Sequence, residues 1–199
     1  MIGNKIKLIP PCGEKCLLLH VCCAPCSAAI IEALMANGIT PIIYYYNPNI
    51  YPKEEYYKRK EEITTYANHL GLQVVDGDYD YNVWREEVSG LEREPERGAR
   101  CLKCFRMRLL QSASYAKENG IKLFSTTLAS SRWKDINQIF AAGRYAADTV
   151  GDVVFWDQNW RKGGLYERRN QLLRQEGFYN QLYCGCEFSI NANKRETSE

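Results

Sequence analysis

Hydrophobic residues occur along the chain in short continuous blocks, separated by longer segments with helical spacing. Five blocks rich in aliphatic, β-branched or aromatic residues predict strands at residues 17–21, 41–46, 72–75, 122–127 and 153–156. The segments between and after them predict helices at residues 28–35, 53–70, 101–119, 135–149 and 165–175. Strands that alternate with helices are typical of α/β proteins. The pattern therefore predicts a doubly wound parallel sheet of five strands.

Residues 82–100 interrupt this alternation. They predict a short helix and an arginine-rich loop, inserted before the helix that begins near residue 101. We expect residues 1–16 to form a loosely packed leader, because Pro10 and Pro11 exclude a regular helix there. Residues 17–190 are expected to form one α/β domain, and residues 191–199 a disordered polar tail.

Composition narrows the functional classes. A chain of 199 residues with 45% hydrophobic residues can bury one substantial core, and its net charge of +2 excludes a strongly basic nucleic-acid binder. No run of 18 apolar residues occurs, and the start of the chain lacks the apolar centre of a signal peptide. We therefore expect a cytoplasmic protein. In that reducing compartment, nine cysteines indicate metal or redox chemistry rather than structural disulfides.

Three of the cysteines follow the first predicted strand, where the chain turns into a helix. Cys22, Cys23 and Cys26 stand at the edge of an α/β sheet where ligands bind, and a helix N-terminus there favours thiolates. Cys101 and Cys104 are spaced i, i+3 at the start of another helix, so their sulfurs share one face. Four thiolates from these two groups could hold zinc or an iron–sulfur cluster. Adjacent cysteines at a strand end suit the wider spread of a cluster better than one small zinc ion.

A third cysteine group closes the predicted domain. Cys184 and Cys186 flank a glycine, and this C-x-C pair is either a redox pair facing the site or a buried terminal turn. The sequence leaves both interpretations open.

Two stretches combine positive charge with aromatic residues. Residues 93–108 hold six basic side chains against two acidic ones, and residues 158–174 hold five against one, so each carries +4. Such stretches are usually solvated faces. Two separate ones, the first flanking the cysteines and the second containing Trp160, Gly163 and Gly164, indicate an anionic ligand of the polynucleotide type. Trp133, Trp160 and the tyrosines of residues 44–51 either stack on bases or fill the core.

Several motifs together resemble one family, the epoxyqueuosine reductases of the QueH type. The resemblance covers residues 18–189, and it depends on the order of the motifs as well as on their identity. They are residues 20–27 (HVCCAPCS), 46–50 (YNPNI), 101–104 (CLKC) with Arg106, 126–128 (TTL), 160–164 (WRKGG) and 181–186 (QLYCGC).

The resemblance implies a single-domain Rossmann-like (HUP-like) fold and a reductive deoxygenation. The substrate would be epoxyqueuosine at the wobble position of a tRNA, and the product would be queuosine. A 4Fe-4S cluster would be held by Cys22, Cys23, Cys101 and Cys104, with an additional iron close by. Cys26 stands where we expect some relatives to carry a carboxylate, which leaves the ligands of that iron open.

We predict further roles around this centre. Cys26 and Tyr46 are the candidate catalytic residues, Cys184 and Cys186 the candidate redox pair, and an external ferredoxin- or flavodoxin-like protein the electron donor. Tyr46, Asp78 and the two C-x-C thiols are candidate proton donors. The candidate tRNA- and substrate-binding residues are Asn47, Asn49, Arg100, Arg106, Trp133, Arg161, Lys162, Gly163 and Gly164.

Two alternatives compete with this interpretation. An ATP-pyrophosphatase-like tRNA-thiolating enzyme shares the fold, but it needs a glycine-rich phosphate loop after the first strand, and residues 22–27 (CCAPCS) contain no glycine. The other is a zinc-stapled RNA-binding module without catalytic activity. Iron and sulfide in the anaerobically purified protein would exclude it.

Overall fold

The computed structural model of the chain describes residues 6–190. Its five strands form one parallel sheet in the order β3-β2-β1-β4-β5, so the predicted Rossmann-like α/β fold is confirmed. The chain moves outward from β1 in one direction to β2 and β3, and later in the other direction to β4 and β5. The strands are β1 (Cys16–His20), β2 (Thr40–Tyr45), β3 (Val74–Asp76), β4 (Leu123–Thr126) and β5 (Val154–Phe155).

Six helices flank the sheet. Helix α1 packs against α2 and α6, whereas α4 packs against α5, so helices form two separate groups around the strands. Two short 3₁₀ turns cover Pro11–Gly13 and Thr127–Ser130. The helices are α1 (Ala24–Ala36), α2 (Lys53–His69), α3 (Tyr81–Glu87), α4 (Ala99–Glu118), α5 (Ile136–Val150) and α6 (Leu165–Gln175).

Helix α1 begins four residues earlier than the hydrophobic spacing predicts. Cys23 is extended and occupies the N-cap, and Pro25 lies in the first turn. Proline is tolerated there because the first N–H groups of a helix have no intrahelical acceptor. The early start places Cys26 inside the first turn of α1 rather than in the preceding loop. Helix α5, by contrast, begins within one residue of its predicted start, because Asp135 caps it: the Asp135 carboxylate accepts from Asn137 N and Gln138 N.

The core is centred on β1, whose residues Leu17, Leu18 and Leu19 are fully buried between β2 and β4. Gly143 of α5 allows the ring of Phe155 to pack directly on the helix, because a Cβ at residue 143 would lie 2.2 Å from that ring.

The N-terminal segment that the structure describes is tied to this core. Leu8 is buried, and the side chain of Asn37 at the end of α1 accepts from Leu8 N–H and donates to the Ile6 carbonyl. The expectation of a loosely packed leader therefore does not fit Ile6 and Leu8. The predicted tail at residues 191–199 lies outside the described residues. Within residues 6–190, no helix is both long enough and apolar enough to cross a membrane.

The strand order places the carboxyl ends of β1 and β4 side by side. His20 and Thr126, the last residues of these strands, are joined by a hydrogen bond of 2.8 Å between Nδ1 and Oγ1. The Nε2 atom of His20 lies 3.1 Å from the Tyr46 carbonyl, which can only accept, so Nε2 carries the proton. His20 is thus a neutral, fully buried structural residue, as its place in an apolar strand predicts. The loops after the two strands meet at the topological switch point, where α/β proteins bind ligands.

Candidate active site and metal centre

Three cysteine sulfurs meet where β1 passes into α1. Among the described residues, the metal-ligating atoms of Cys22, Cys23 and Cys26 form a group in which all lie within 4.8 Å of one another. The Cys22 and Cys23 sulfurs are 3.8 Å apart, and the hydroxyl of Thr127, which follows β4, lies 3.9 Å from the Cys22 sulfur. Such a set of thiols is suited to hold a metal ion or part of a cluster.

The three thiols differ in their readiness to lose a proton. Hydrogen bonds from Cys23 and Cys26, together with the positive charges of Lys134 and Arg108, hold the pKa of Cys22 well below its ordinary value. Donation to Cys22 raises the pKa of Cys26 to about 12, and burial raises that of Cys23 well above its ordinary value. Of the three, Cys22 is therefore the thiol that loses its proton most readily.

Cys101 lies in the first turn of α4 and Cys104 in the second, and neither is part of that group of three. Burial and the nearby Cys184 raise the pKa of Cys101 to about 11. Burial also raises the pKa of Cys104, Arg108 acts against that shift, and Cys184 adds to it. The charges of these three sulfurs are thus close enough to interact. A second group of cysteines accordingly comes from the start of α4 and the C-terminal segment.

Two cationic side chains connect the two cysteine groups. Burial alone would lower the pKa of the Lys134 ammonium, but the charges of Cys184, Cys22 and Cys26 raise it above its ordinary value. Arg108 lowers the pKa of both Cys22 and Cys104. Each cation therefore interacts with sulfurs from both groups. The sequence did not single out either residue, because Arg108 was counted only within a basic stretch and Lys134 in no candidate set.

A buried arginine anchors the backbone of the C-x-C segment, residues 184–186. Arg59 of α2 pairs with Glu55 at 2.7 Å and donates to the carbonyls of Tyr183 and Cys184. Gly185 has φ +120°, a backbone conformation that other residues rarely adopt. All nine cysteines of the chain lie in the described part and are free thiols, so Cys184 and Cys186 form no disulfide here. Burial, with the neighbouring Cys184, raises the pKa of Cys186 to about 12.

Gln181 contacts the first cysteine group from the far end of the chain. Its Nε2 atom lies 2.9 Å from the sulfur of Cys23 and 3.5 Å from that of Cys26. Gln181 belongs to the motif at residues 181–186, which by itself indicates no role for the amide. Its proximity to two cysteines more than 150 positions earlier could not be read from spacing.

Comparison with known proteins identifies the family. A family model described as epoxyqueuosine reductase QueH matches residues 17–192. The chain belongs to the epoxyqueuosine reductase QueH family. It is similar to the protein of that name from Histophilus somni (strain 129Pt), with 50% identity over 92% of this chain and 76% of the relative. The protein of that name from Haemophilus influenzae (strain Rd) is 47% identical over 100% of this chain and 80% of the relative. The one from Thermotoga maritima (strain MSB8) is 35% identical over 92% of this chain and 94% of the relative.

The donor set of this QueH-family chain fits an iron–sulfur cluster. Sulfur is the ligand that such clusters require: three cysteine sulfurs are grouped where β1 passes into α1, and Arg108 interacts with both Cys22 of that group and Cys104 of α4. A cluster with thiolate ligands carries net negative charge, which Arg108 and Lys134 would compensate. The structure shows the three-cysteine group directly.

Several residues of this QueH-family chain that were predicted to bind substrate or RNA are buried. Asn47 is 0% exposed; it donates to the Val21 carbonyl and accepts from the Arg108 guanidinium, so it shapes the site rather than contacting substrate. Asn49 is also buried, and its Oδ1 has no hydrogen-bond partner among the described residues. Arg100, 3% exposed, donates to the carbonyls of residues 91, 92 and 94 and holds the inserted loop, so it is not a phosphate contact. Trp160 is buried against Trp156 and fills the core.

Trp133, in contrast, is 78% exposed on the loop before α5. Two arginines hold this loop by its backbone: Arg97 donates to the carbonyls of Arg132 and Trp133, and Arg161 donates to that of Lys134 at 2.6 Å. Burial and the charges of Arg97 and Arg132 lower the pKa of Arg161. The loop therefore presents a fixed aromatic side chain among crowded positive charges, next to the cysteine site.

The other predicted residues occupy varied positions. Tyr46 is half-buried and stacks on Tyr44, and burial raises the pKa of its hydroxyl. Arg106 is exposed beside Tyr145, and Lys162 is exposed. Gly163 and Gly164 precede α6 with positive φ, and a Cβ at residue 163 would lie 2.4 Å from Ile6. Asp78 is in a left-handed turn after β3.

Proposed function

We propose that this epoxyqueuosine reductase acts on epoxyqueuosine at the wobble position of a tRNA and yields queuosine, using a 4Fe-4S cluster on Cys22, Cys23, Cys101 and Cys104. The observation that carries the proposal is the group of three close sulfurs at the end of β1 in a chain of the QueH family. Adjacent cysteines from one helix start and an i, i+3 pair from another would supply the four ligands.

The reaction sets the demands on the site. Converting the epoxide to an alkene removes its oxygen as water and consumes two electrons and two protons. A cluster bound here would supply the electrons, which no side chain offers, and an additional iron beside Cys26 would polarise the epoxide oxygen. The electrons come from an external ferredoxin- or flavodoxin-like donor in the cytoplasm.

The chain's own residues hold charge and protons around that centre. Arg108 and Lys134 favour anionic sulfurs and would favour negative charge on a departing oxygen. Tyr46 keeps its proton at neutral pH because burial raises its pKa, so its hydroxyl is available as a donor. Cys184 and Cys186 lie beside Cys101 and Cys104 and are the redox pair of the proposal.

The exposed surface next to the cysteines would bind the RNA. Trp133 offers a stacking face for a splayed base, and Arg97, Arg132 and Arg161 carry positive charge around it. The wobble base lies in a loop, so it can leave its stack and enter the site at moderate cost. Arg106, Lys162, Gly163 and Gly164 complete the proposed RNA-binding surface.

Anaerobic turnover of epoxyqueuosine-containing tRNA with a chemical reductant tests the proposal, with the nucleoside product identified by mass. The wild-type chain should contain iron and sulfide and form queuosine. Cys101→Ser should lose iron and activity, whereas Cys12→Ser, an exposed cysteine at the opposite end of the sheet, should retain both. Zinc as the only metal, with no reduction, would support the RNA-binding module. ATP turnover without reduction would support a thiolating enzyme.

A further inference from the structure

Among residues 6–190, Gln181 is the amide side chain that donates to the cysteine group, and the proposed reaction does not use it. The described segment after α6 leads the chain back across the site, so that Nε2 of Gln181 lies 2.9 Å from Cys23 Sγ and 3.5 Å from Cys26 Sγ. Cys23 is fully buried. The amide nitrogen of Gln181, which carries two N–H groups, therefore donates to two sulfurs of the proposed metal centre.

The backbone on both sides of Gln181 is anchored, so this contact is fixed by the fold. Tyr179 N–H donates to Glu62 at 2.6 Å, and its hydroxyl donates to Glu55 at 3.1 Å. On the other side, Arg59 donates to the carbonyls of Tyr183 and Cys184. Helix α2 thus holds residues 179 and 183–184 at both ends of the short stretch that carries Gln181.

The chemistry of the sulfurs fixes the orientation of the amide. A metal-bound cysteine is a thiolate and can only accept, so Nε2–H and not Oε1 must face it. Oε1 of Gln181 is buried and has no hydrogen-bond partner among the described residues. The amide therefore has one end committed to sulfur and the other end available as an acceptor within the site.

We propose that Gln181 is a positioning residue of the reductase centre. Its N–H···S hydrogen bonds to Cys23 and Cys26 make the reduction potential of a cluster ligated by Cys23 less negative. The proposal builds on the function given above. An N–H donor draws charge from the sulfur and stabilises the reduced, more negative state more than the oxidised one. Without that donor, reduction becomes harder.

The test compares the cluster of the anaerobically purified holoprotein in four chains: wild type, Gln181→Leu, Gln181→Glu and the control Gln73→Leu. Gln73 is an exposed glutamine just before β3, at the opposite edge of the sheet. Midpoint potentials are measured by dye-mediated titration followed by electron paramagnetic resonance. Resonance Raman spectra in H₂O and D₂O report the strength of the Fe–S(Cys) bonds and their hydrogen bonding.

In Gln181→Leu we expect a shift of the potential to more negative values and a rise in Fe–S(Cys) stretching frequency. The D₂O sensitivity of that band should decrease. Gln181→Glu should shift the potential further in the same direction, because it replaces the donor by a negative charge. The control should match the wild type. Potentials and Raman bands of Gln181→Leu that equal those of the wild type would overturn the proposal.

Cluster loading separates the remaining outcomes. If Gln181→Leu binds no iron, Gln181→Asn, whose shorter amide does not reach Cys23, should show the negative shift. Failure of both variants to load a cluster would overturn the proposal, since the glutamine would then serve assembly. If the wild-type chain contains a cluster and reduces epoxyqueuosine, and the Gln181 variants have the same potentials and Raman bands as the wild type, only the role of Gln181 is refuted. A wild-type chain without a cluster refutes the proposed function and this inference with it.

Discussion

Replacement of Arg108 by leucine tests whether the buried cation organises the site. Arg108 is 2% exposed, one turn after Cys104 on α4, and its guanidinium donates to Asn47. Asn47 in turn donates to the Val21 carbonyl at 2.9 Å, directly before Cys22. The substitution therefore removes a positive charge close to Cys22 and Cys104 and also the donor that fixes the loop after β2.

The size of the effect follows from these two losses. Asn47 Oδ1 would be left as a buried acceptor without a donor, which costs about 1–3 kcal/mol in free energy of unfolding. Loss of Arg108 also raises the pKa of Cys22 and Cys104, because the cation lowers both. Residues that support metal ligands typically contribute 10- to 100-fold to metal affinity, so roughly that loss in iron retention is expected.

Urea unfolding and iron release to a chelator, both under anaerobic conditions, measure the two quantities. Arg106→Leu is the matched control, since Arg106 lies on the same helix but is exposed beside the ring of Tyr145. Its free energy of unfolding should stay within roughly 0.5 kcal/mol of wild type. If Arg108→Leu and Arg106→Leu have the same free energy of unfolding and the same iron release, the charge and hydrogen bond of Arg108 do not stabilise the site.

Three further substitutions test the surface and the core. Trp133→Ala should weaken tRNA binding by roughly 5- to 150-fold, the equivalent of about 1–3 kcal/mol per stacked base, without loss of stability. A filter or fluorescence assay measures the affinity, and an affinity equal to that of the wild type would show that Trp133 does not stack on a base. Arg97→Gly keeps the N–H that contacts Cys101 Sγ at 3.3 Å and permits the φ of +67°, but it frees the Trp133 loop. It should therefore lower tRNA affinity while iron content is retained. Loss of iron would contradict the view that the Arg97 backbone supports the cysteine and its side chain supports the loop. Gly143→Ala places a methyl group 2.2 Å from Phe155. Overpacking costs about 1–3 kcal/mol, whereas alanine gains about 1 kcal/mol in helix propensity over glycine. The substitution should therefore lower the free energy of unfolding by about 1 kcal/mol. Phe155→Leu in the same chain should recover most of that loss.

The sequence was sufficient for the fold because its signals are local. The apolar block that becomes β1, the spacing along α2 and the carboxylate of Asp135 at the start of α5 are each set by neighbouring residues. The cysteine turn after β1 is equally local, so a metal-ligating site at the sheet edge could be predicted from residues 22–26 alone. Helix α1 was predicted too short, since the capping geometry of Cys23 and Pro25 outweighs the hydrophobic pattern.

Charge counting along the chain was less informative. It placed Arg100 and Arg161 among RNA contacts, whereas both guanidinium groups donate to backbone carbonyls of loops. The number of guanidinium N–H groups left to bind phosphate depends on these contacts, and sequence spacing does not report them. Trp133 and Trp160 are the same residue type, yet Trp133 is exposed and Trp160 is buried in the core.

The sequence by itself thus determined a parallel α/β sheet, a cysteine turn at its edge and membership of the QueH family. Only the tertiary structure showed that Gln181 lies on Cys23 and that Arg108 and Lys134 connect the two cysteine groups. The physical reason is distance along the chain. Propensity and capping act within a few residues, whereas contacts across more than 100 positions exist only once the strand order brings β1, β4 and the C-terminal segment together.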